Sequence, residues 1–78
     1  MQLTILNLGV AAPVEIIYIF EHTTVQEFLE ILNKEKQYEY LFKGEIINEI
    51  PPYYFMVTLG LENGAIIGRR DRISTDID

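Results

Sequence analysis

Residues 24–33 read Thr24-Val25-Gln26-Glu27-Phe28-Leu29-Glu30-Ile31-Leu32-Asn33. Val25, Phe28, Leu29 and Leu32 fall at i, i+3, i+4 and i+7, the spacing that gathers apolar side chains on one face of an α-helix. The Thr24 hydroxyl can cap that helix, and Glu27, three residues on, completes a capping box. Gln26, Glu27, Glu30 and Asn33 point away from the apolar stripe and are polar. A helix this short is marginal alone, because its first turn is costly to nucleate. It needs a surface to lie on, and almost everything else in the chain reads as strand. The expected fold is therefore α+β, one helix held against one small sheet.

Upstream, residues 14–20 (Val14-Glu15-Ile16-Ile17-Tyr18-Ile19-Phe20) are β-branched and aromatic and read as a strand. Both of its faces are apolar, Ile17 and Ile19 on one and Ile16, Tyr18 and Phe20 on the other. In a domain this small the second face has no evident cover. Residues 1–8 alternate Met1, Leu3 and Ile5 with Gln2 and Thr4, a half-buried strand in which Leu6 is turned toward solvent. Residues 9–13, with Gly9 and Pro13, form the turn that makes these two strands a hairpin. Downstream, Tyr38, Tyr40 and Phe42 alternate with Glu39, Leu41 and Lys43 in a third strand closed by a turn at Gly44. Residues 45–47 continue as a short fourth strand. Pro51 and Pro52 forbid a central strand where they stand, and the aromatic residues 53–57 are expected to fold back as a lid on the core. Asn63-Gly64 signals a turn, and residues 65–70 form the last strand. Residues 71–78 are polar, with Ile73 and Ile77 as their only apolar anchors, and read as a frayed tail. The division is thus one domain over 1–70 and a tail over 71–78, with a mixed sheet of four to five strands.

The chain has 78 residues and no cysteine, so neither disulfides nor thiolate chemistry contribute. It contains no 18-residue apolar run and no basic leader at its start, which fits a cytoplasmic protein. Twelve acidic against six basic residues give a net charge of −6, which repels phosphate backbones and anionic membrane surfaces. The expected partners therefore include neither nucleic acid nor membrane. Arg69, Arg70 and Arg72 cluster near the end and read as a solvated strand terminus. His22 stands alone in a polar connector, with no second histidine or paired carboxylates nearby to make a metal or catalytic site. Ser74 has no base at hand, and no phosphate-cradling glycine loop is present. The expectation is a non-enzyme with no catalytic residues, no metal, no cofactor and no small-molecule substrate. Pro51-Pro52-Tyr53-Tyr54 matches a Pro-Pro-x-Tyr motif of the kind that docks in aromatic grooves as an extended helix; the competing reading, that its tyrosines turn onto the core, is preferred.

The element order, and four stretches within it, resemble the ubiquitin-like β-grasp superfamily. Met1-Gln2-Leu3-Thr4-Ile5-Leu6-Asn7-Leu8 looks like the opening strand of ubiquitin, and Thr24-Val25 looks like the start of the family's helix. Tyr40-Leu41-Phe42-Lys43-Gly44-Glu45-Ile46-Ile47 is similar to its third strand and tight turn, and the stretch from Leu59 to Ile67 to its approach to the final strand. The same pieces resemble the sulfur carriers of thiamine and molybdopterin synthesis. Carriers and conjugated modifiers end in Gly-Gly, whereas this chain has Gly68-Arg69-Arg70 and runs on to Asp78. Arg69 is a second departure, standing where the family places an apolar inward residue.

The resemblance implies a non-catalytic module that binds a protein partner, or a second copy of itself, through the outer face of its sheet. Alternatives are a sulfur carrier or modifier with an atypical or processed tail, and an accessory component of a secretion machine. Alternation turns Leu6, Ile16, Tyr18, Leu41 and Ile66 outward. Leu8 and Leu41 match positions of the family's apolar patch, while Gly68 and Arg70 stand where two further patch residues would be. The candidate partner-binding residues are therefore Leu6, Leu8, Ile16, Tyr18, Leu41, Ile66 and Arg70.

Overall fold

A computed structural model of the chain describes residues 1–9, 11–33 and 38–71. Strands β1 (Gln2–Asn7) and β2 (Glu15–Tyr18) are followed by helix α1 (Val25–Leu32), then β3 (Tyr38–Phe42), β4 (Glu45–Ile46) and β5 (Ala65–Asp71). Two short 3-10 turns, Ile47–Glu49 and Met56–Leu59, lie between β4 and β5. The strands make one sheet in the order β2-β1-β5-β3-β4. β1 runs parallel to β5 in the middle, and the pairs β1–β2, β3–β5 and β3–β4 are antiparallel. This is the mixed five-stranded sheet with one helix expected of a β-grasp. The strand β5 reaches Asp71, paired with Tyr38, one residue beyond the expected boundary; residues 72–78 lie outside the described part, as do Val10 and residues 34–37.

The helix forms where its pattern places it, and all its early amides find acceptors. Glu27 N–H donates to Thr24 Oγ1 at 3.1 Å and Thr24 N–H donates to Glu27 Oε1 at 3.0 Å, closing the capping box. Val25 N–H donates to the Tyr54 carbonyl at 2.8 Å and Gln26 N–H to the Pro52 carbonyl at 3.1 Å. These are the amides that a helix start leaves unpaired. The loop that carries Pro51 and Pro52 therefore serves as part of the helix cap. Tyr54 N–H also donates to the Pro51 carbonyl at 3.1 Å, so Pro51-Pro52-Tyr53-Tyr54 is a closed turn and not the extended helix a docking motif presents.

Val25 and Phe28 of the helix, Leu3 and Ile5 of β1, Tyr40 and Phe42 of β3 and Ile67 of β5 are buried together with Ile19, Ile47, Met56 and Leu61. Phe28 meets Tyr40 edge-on, with ring centroids 5.3 Å apart. Two expectations fail here. The lid is supplied by one side chain of the aromatic stretch, Met56, while Tyr53, Tyr54 and Phe55 stay exposed. A turn held by backbone bonds to the helix cannot also rotate three consecutive rings inward. Asn33, expected to face solvent, turns back on the end of the helix. Its Oδ1 accepts from the Tyr40 hydroxyl at 3.1 Å and from Tyr38 N–H at 3.3 Å. Polar side chains just past a helix end are drawn to nearby unpaired backbone groups.

The stretch Tyr38–Tyr40 lies beyond the reach of the two-residue β4, and Asn48 satisfies its free edge. Tyr40 N–H donates to Asn48 Oδ1 and Asn48 Nδ2 to the Tyr38 carbonyl, each at 2.9 Å. Asn48→Ala is expected to cost roughly 1–3 kcal/mol in denaturant unfolding, since it strips the Tyr40 N–H of its partner and leaves the Tyr38 carbonyl only the longer bond from Asn33 Nδ2 at 3.4 Å. A loss below a few tenths would mean that water replaces the side chain without penalty.

Candidate functional site

The inner positions of β1 are Leu3 and Ile5, so Thr4 and Leu6 face the other way. Strand register then lines up the outer face. Ile16 lies beside Thr4, and Thr4 beside Ile66. In the next row Leu6 lies beside Gly68, Gly68 beside Leu41 and Leu41 beside Ile46. Tyr18 pairs with Gln2 at the start of β1. Six of the seven sequence candidates thus share this face as strand residues or as side chains on it, with Gln2 and Thr4 standing between the two β2 residues and the others. Tyr18 is 71% exposed, Ile66 59%, Ile16 53%, and Leu6 and Leu8 41% each; Leu41 is half-buried among its neighbours.

Leu8 follows the end of β1 and lies over Gly68. A Cβ at residue 68 would stand 2.9 Å from Leu8 Cδ1. Gly68 is thus the floor of a notch between Leu6 and Leu41 that Leu8 fills, which brings a loop-end leucine into line with the sheet. The seventh candidate, Arg70, stands at the rim on the same side. Its Nε donates to Glu39 Oε1 at 2.8 Å. This pair is solvent-accessible and contributes little to stability, leaving both charges at the edge of the apolar surface.

Arg69 does not belong to a solvated terminus as expected. It points inward on β5, with its side chain only 12% exposed. Nη1 lies 2.8 Å from Glu15 Oε1, Nε donates to Asn7 Oδ1 at 2.8 Å, and the guanidinium lies 4.9 Å from the centre of the Tyr38 ring. Burial disfavours its charge, but Tyr40 and the Glu15 carboxylate outweigh that, and its pKa is raised. The position an apolar residue was expected to hold is thus the hub of a polar network that joins β1, β2, β3 and β5 at one end of the sheet. The signal was present in the alternation: Ile67 inward places Arg69 inward, and Asn7 and Glu15 are inward by the same count. Arg72 lies outside the described residues.

Burial raises the Tyr40 phenol above its ordinary value of 10.0, opposed by the hydrogen bond and charge of Arg69. The unfolded chain therefore releases this proton at a lower pH than the folded one. The stabilisation is complete below the unfolded value and is lost as pH rises through the folded value. Tyr40→Phe is expected to flatten that alkaline decline in melting temperature. An unchanged profile would assign the decline to other groups.

Elsewhere the chemistry is sparse. His22 is exposed and meets the Phe55 ring at 6.2 Å between centroids. Among the described residues no group of three His, Cys, Asp or Glu could hold a metal ion. No helix among them is long and apolar enough to cross a membrane.

No family model matches the sequence, and no curated protein matches it either. Solved structures do match. One is the solution structure of a computationally designed protein based on the template of human erythrocytic ubiquitin. It superposes with a TM-score of 0.71 at 13% sequence identity, over 99% of this chain and 98% of that one. The fold is ubiquitin-like, an α+β β-grasp.

Proposed function

We propose that this ubiquitin-like domain is a non-catalytic protein-interaction module that docks a protein partner through the outer face of its sheet, in the cytoplasm. The observation that carries this reading is the gathering on one sheet face of Leu6, Leu8, Ile16, Tyr18 and Ile66, each at least 41% exposed. Isolated exposed apolar residues are ordinary, but five of them gathered on one face support an interaction site. The rim is polar and carries both signs of charge in Arg70 and Glu39, the arrangement of an apolar centre inside a hydrophilic border. The net charge of −6 favours a protein over a phosphate-bearing polymer.

Ile66→Glu is the direct test. Ile66 sits on a central strand with its side chain in solvent, so the substitution should leave circular dichroism and the melting curve nearly unchanged. Partner capture in pull-down should fall by about tenfold or more, since it puts a charge in the middle of the surface. Leu41→Glu should do the same to binding, but with a measurable loss of stability because Leu41 is half-buried. A folded Ile66→Glu protein that captures the same partners as the parent would exclude this face as the site.

A further inference from the structure

The two edges of the sheet are built differently. β4, at one edge, has only two residues, Glu45–Ile46, and is flanked by Lys43 and Glu49. Shortness and charge are the usual devices that keep an edge from pairing with another chain. β2, at the other edge, is twice as long and carries one charge, at its start. It runs Glu15-Ile16-Ile17-Tyr18 with no Lys or Pro inside it, and its single charge is paired with Arg69.

The bonds of β2 show which of its backbone groups are open. Ile19 and Met1 exchange both hydrogen bonds, Ile19 N–H to the Met1 carbonyl at 2.9 Å and the Met1 amino group to the Ile19 carbonyl at 2.8 Å. Bonded pairs alternate along an antiparallel ladder, so Ile17 bonds to Leu3, and Tyr18 and Ile16 turn their N–H and C=O groups away from β1. Phe20 does not extend this open edge. Its N–H donates to Thr23 Oγ1, and its carbonyl accepts from Thr23 N–H. Among the described residues no strand lies beyond β2.

We infer that this edge pairs with β2 of a second copy, antiparallel about a twofold axis at Ile17, with Ile16 opposite the partner's Tyr18. This register uses all the open groups of both residues on both strands; centring on Tyr18 would set Ile16 opposite Phe20, whose groups are taken by Thr23. It sets an aromatic ring against a β-branched side chain twice on the outer face, a favoured cross-strand pair. Val14 falls opposite the partner's Phe20, joining residues that are 49% and 80% exposed in one copy. Glu15 falls opposite the partner's Ile19, so no like charges meet. The two outer faces become one continuous surface, and the two sheets become one of ten strands. An interface made by one strand edge is small, which makes the dimer concentration-dependent. The inference concerns the edge and holds whether or not the outer face docks a further protein.

The test is sedimentation of the full chain across a concentration series, with three variants. The parent should pass from monomer to dimer. Ile16→Pro removes an N–H that the internal ladder does not use, so it should stay folded by circular dichroism and remain monomeric. If it fails to fold, Ile16→Lys serves the same purpose by placing a charge at the edge. Ile17→Cys, in a chain with no other cysteine, should oxidise to a disulfide-linked dimer, because residues at the twofold axis lie about 4.5 Å apart between Cα atoms in a non-bonded pair. A parent that is monomeric throughout overturns the proposal. So does a dimer that survives both edge variants, and one that is lost in Ile66→Glu but not in Ile16→Pro is a face-to-face dimer. A monomer whose Ile16 and Tyr18 amides resist exchange has its edge covered from within, which overturns it as well.

Discussion

Phe28→Ala should lower the unfolding free energy by about 3–5 kcal/mol. Phe28 is 1% exposed and rests edge-on against Tyr40, so truncation removes a ring from the point where helix and sheet meet. The cavity it leaves is walled by β-strands on one side, which cannot collapse into it without breaking register. A 78-residue domain has limited buried surface, and total stabilities of domains lie near 5–15 kcal/mol. The variant should therefore be partly or wholly unfolded at room temperature, seen as lost near-ultraviolet dichroism and a denaturant midpoint near zero. Ile31→Ala is the matched control. It lies on the same helix but is 54% exposed, and should change stability by no more than about 0.5 kcal/mol. Equal losses from the two substitutions would show that the helix packs through a different face.

Met56→Ala should cost about 2–5 kcal/mol, and its effect should be concentrated at one place. Met56 is fully buried, and it is the apolar anchor of the loop whose carbonyls cap the helix. The amide of Met56 also donates to the Thr23 carbonyl at 2.8 Å. Loss of the anchor should release the Pro52 and Tyr54 carbonyls from Gln26 and Val25, and hydrogen exchange at those two amides should accelerate more than at Leu3 or Ile67. It should also open the turn across Pro51-Pro52-Tyr53-Tyr54, which becomes free to extend. Tyr53→Ala, at a residue 73% exposed, should leave both stability and exchange close to the parent. If Met56→Ala accelerates exchange evenly across the domain, the loop and the sheet unfold as a single unit.

The helix, the succession of strands along the chain and the inner face of β1 were legible because each rests on periodicity. Val25 and Phe28 are buried at the helical period, and Leu3 and Ile5 at the strand period. The same alternation put Leu6, Ile16, Tyr18 and Ile66 outward. What sequence reasoning missed was decided by partners distant in the chain. Asn33 reads as a solvent-facing helix end, yet it lies within reach of Tyr38 and Tyr40 once the third strand returns. Arg69 reads as part of a basic cluster until Glu15, more than fifty residues earlier, is placed beside it by β1. Tyr53, Tyr54 and Phe55 have the composition of a core lid, but backbone bonds to the helix hold them out and leave Met56 to enter. The Pro-Pro-x-Tyr pattern is local and real as a pattern, and its conformation is set by a helix that precedes it.

The central pair of the sheet joins β1, the first strand, to β5, the last, in parallel. No part of the core is complete until residues at opposite ends of the domain have met. Such closure carries a large loop-entropy cost before any contact compensates it, which slows folding relative to proteins built from local contacts. Within the domain the hairpin and helix precede β5 in the chain, so Leu3, Ile5 and Phe28 lack the cover of Ile67 until that strand has joined the sheet. The domain therefore folds as a whole, once β5 is available to pair with β1.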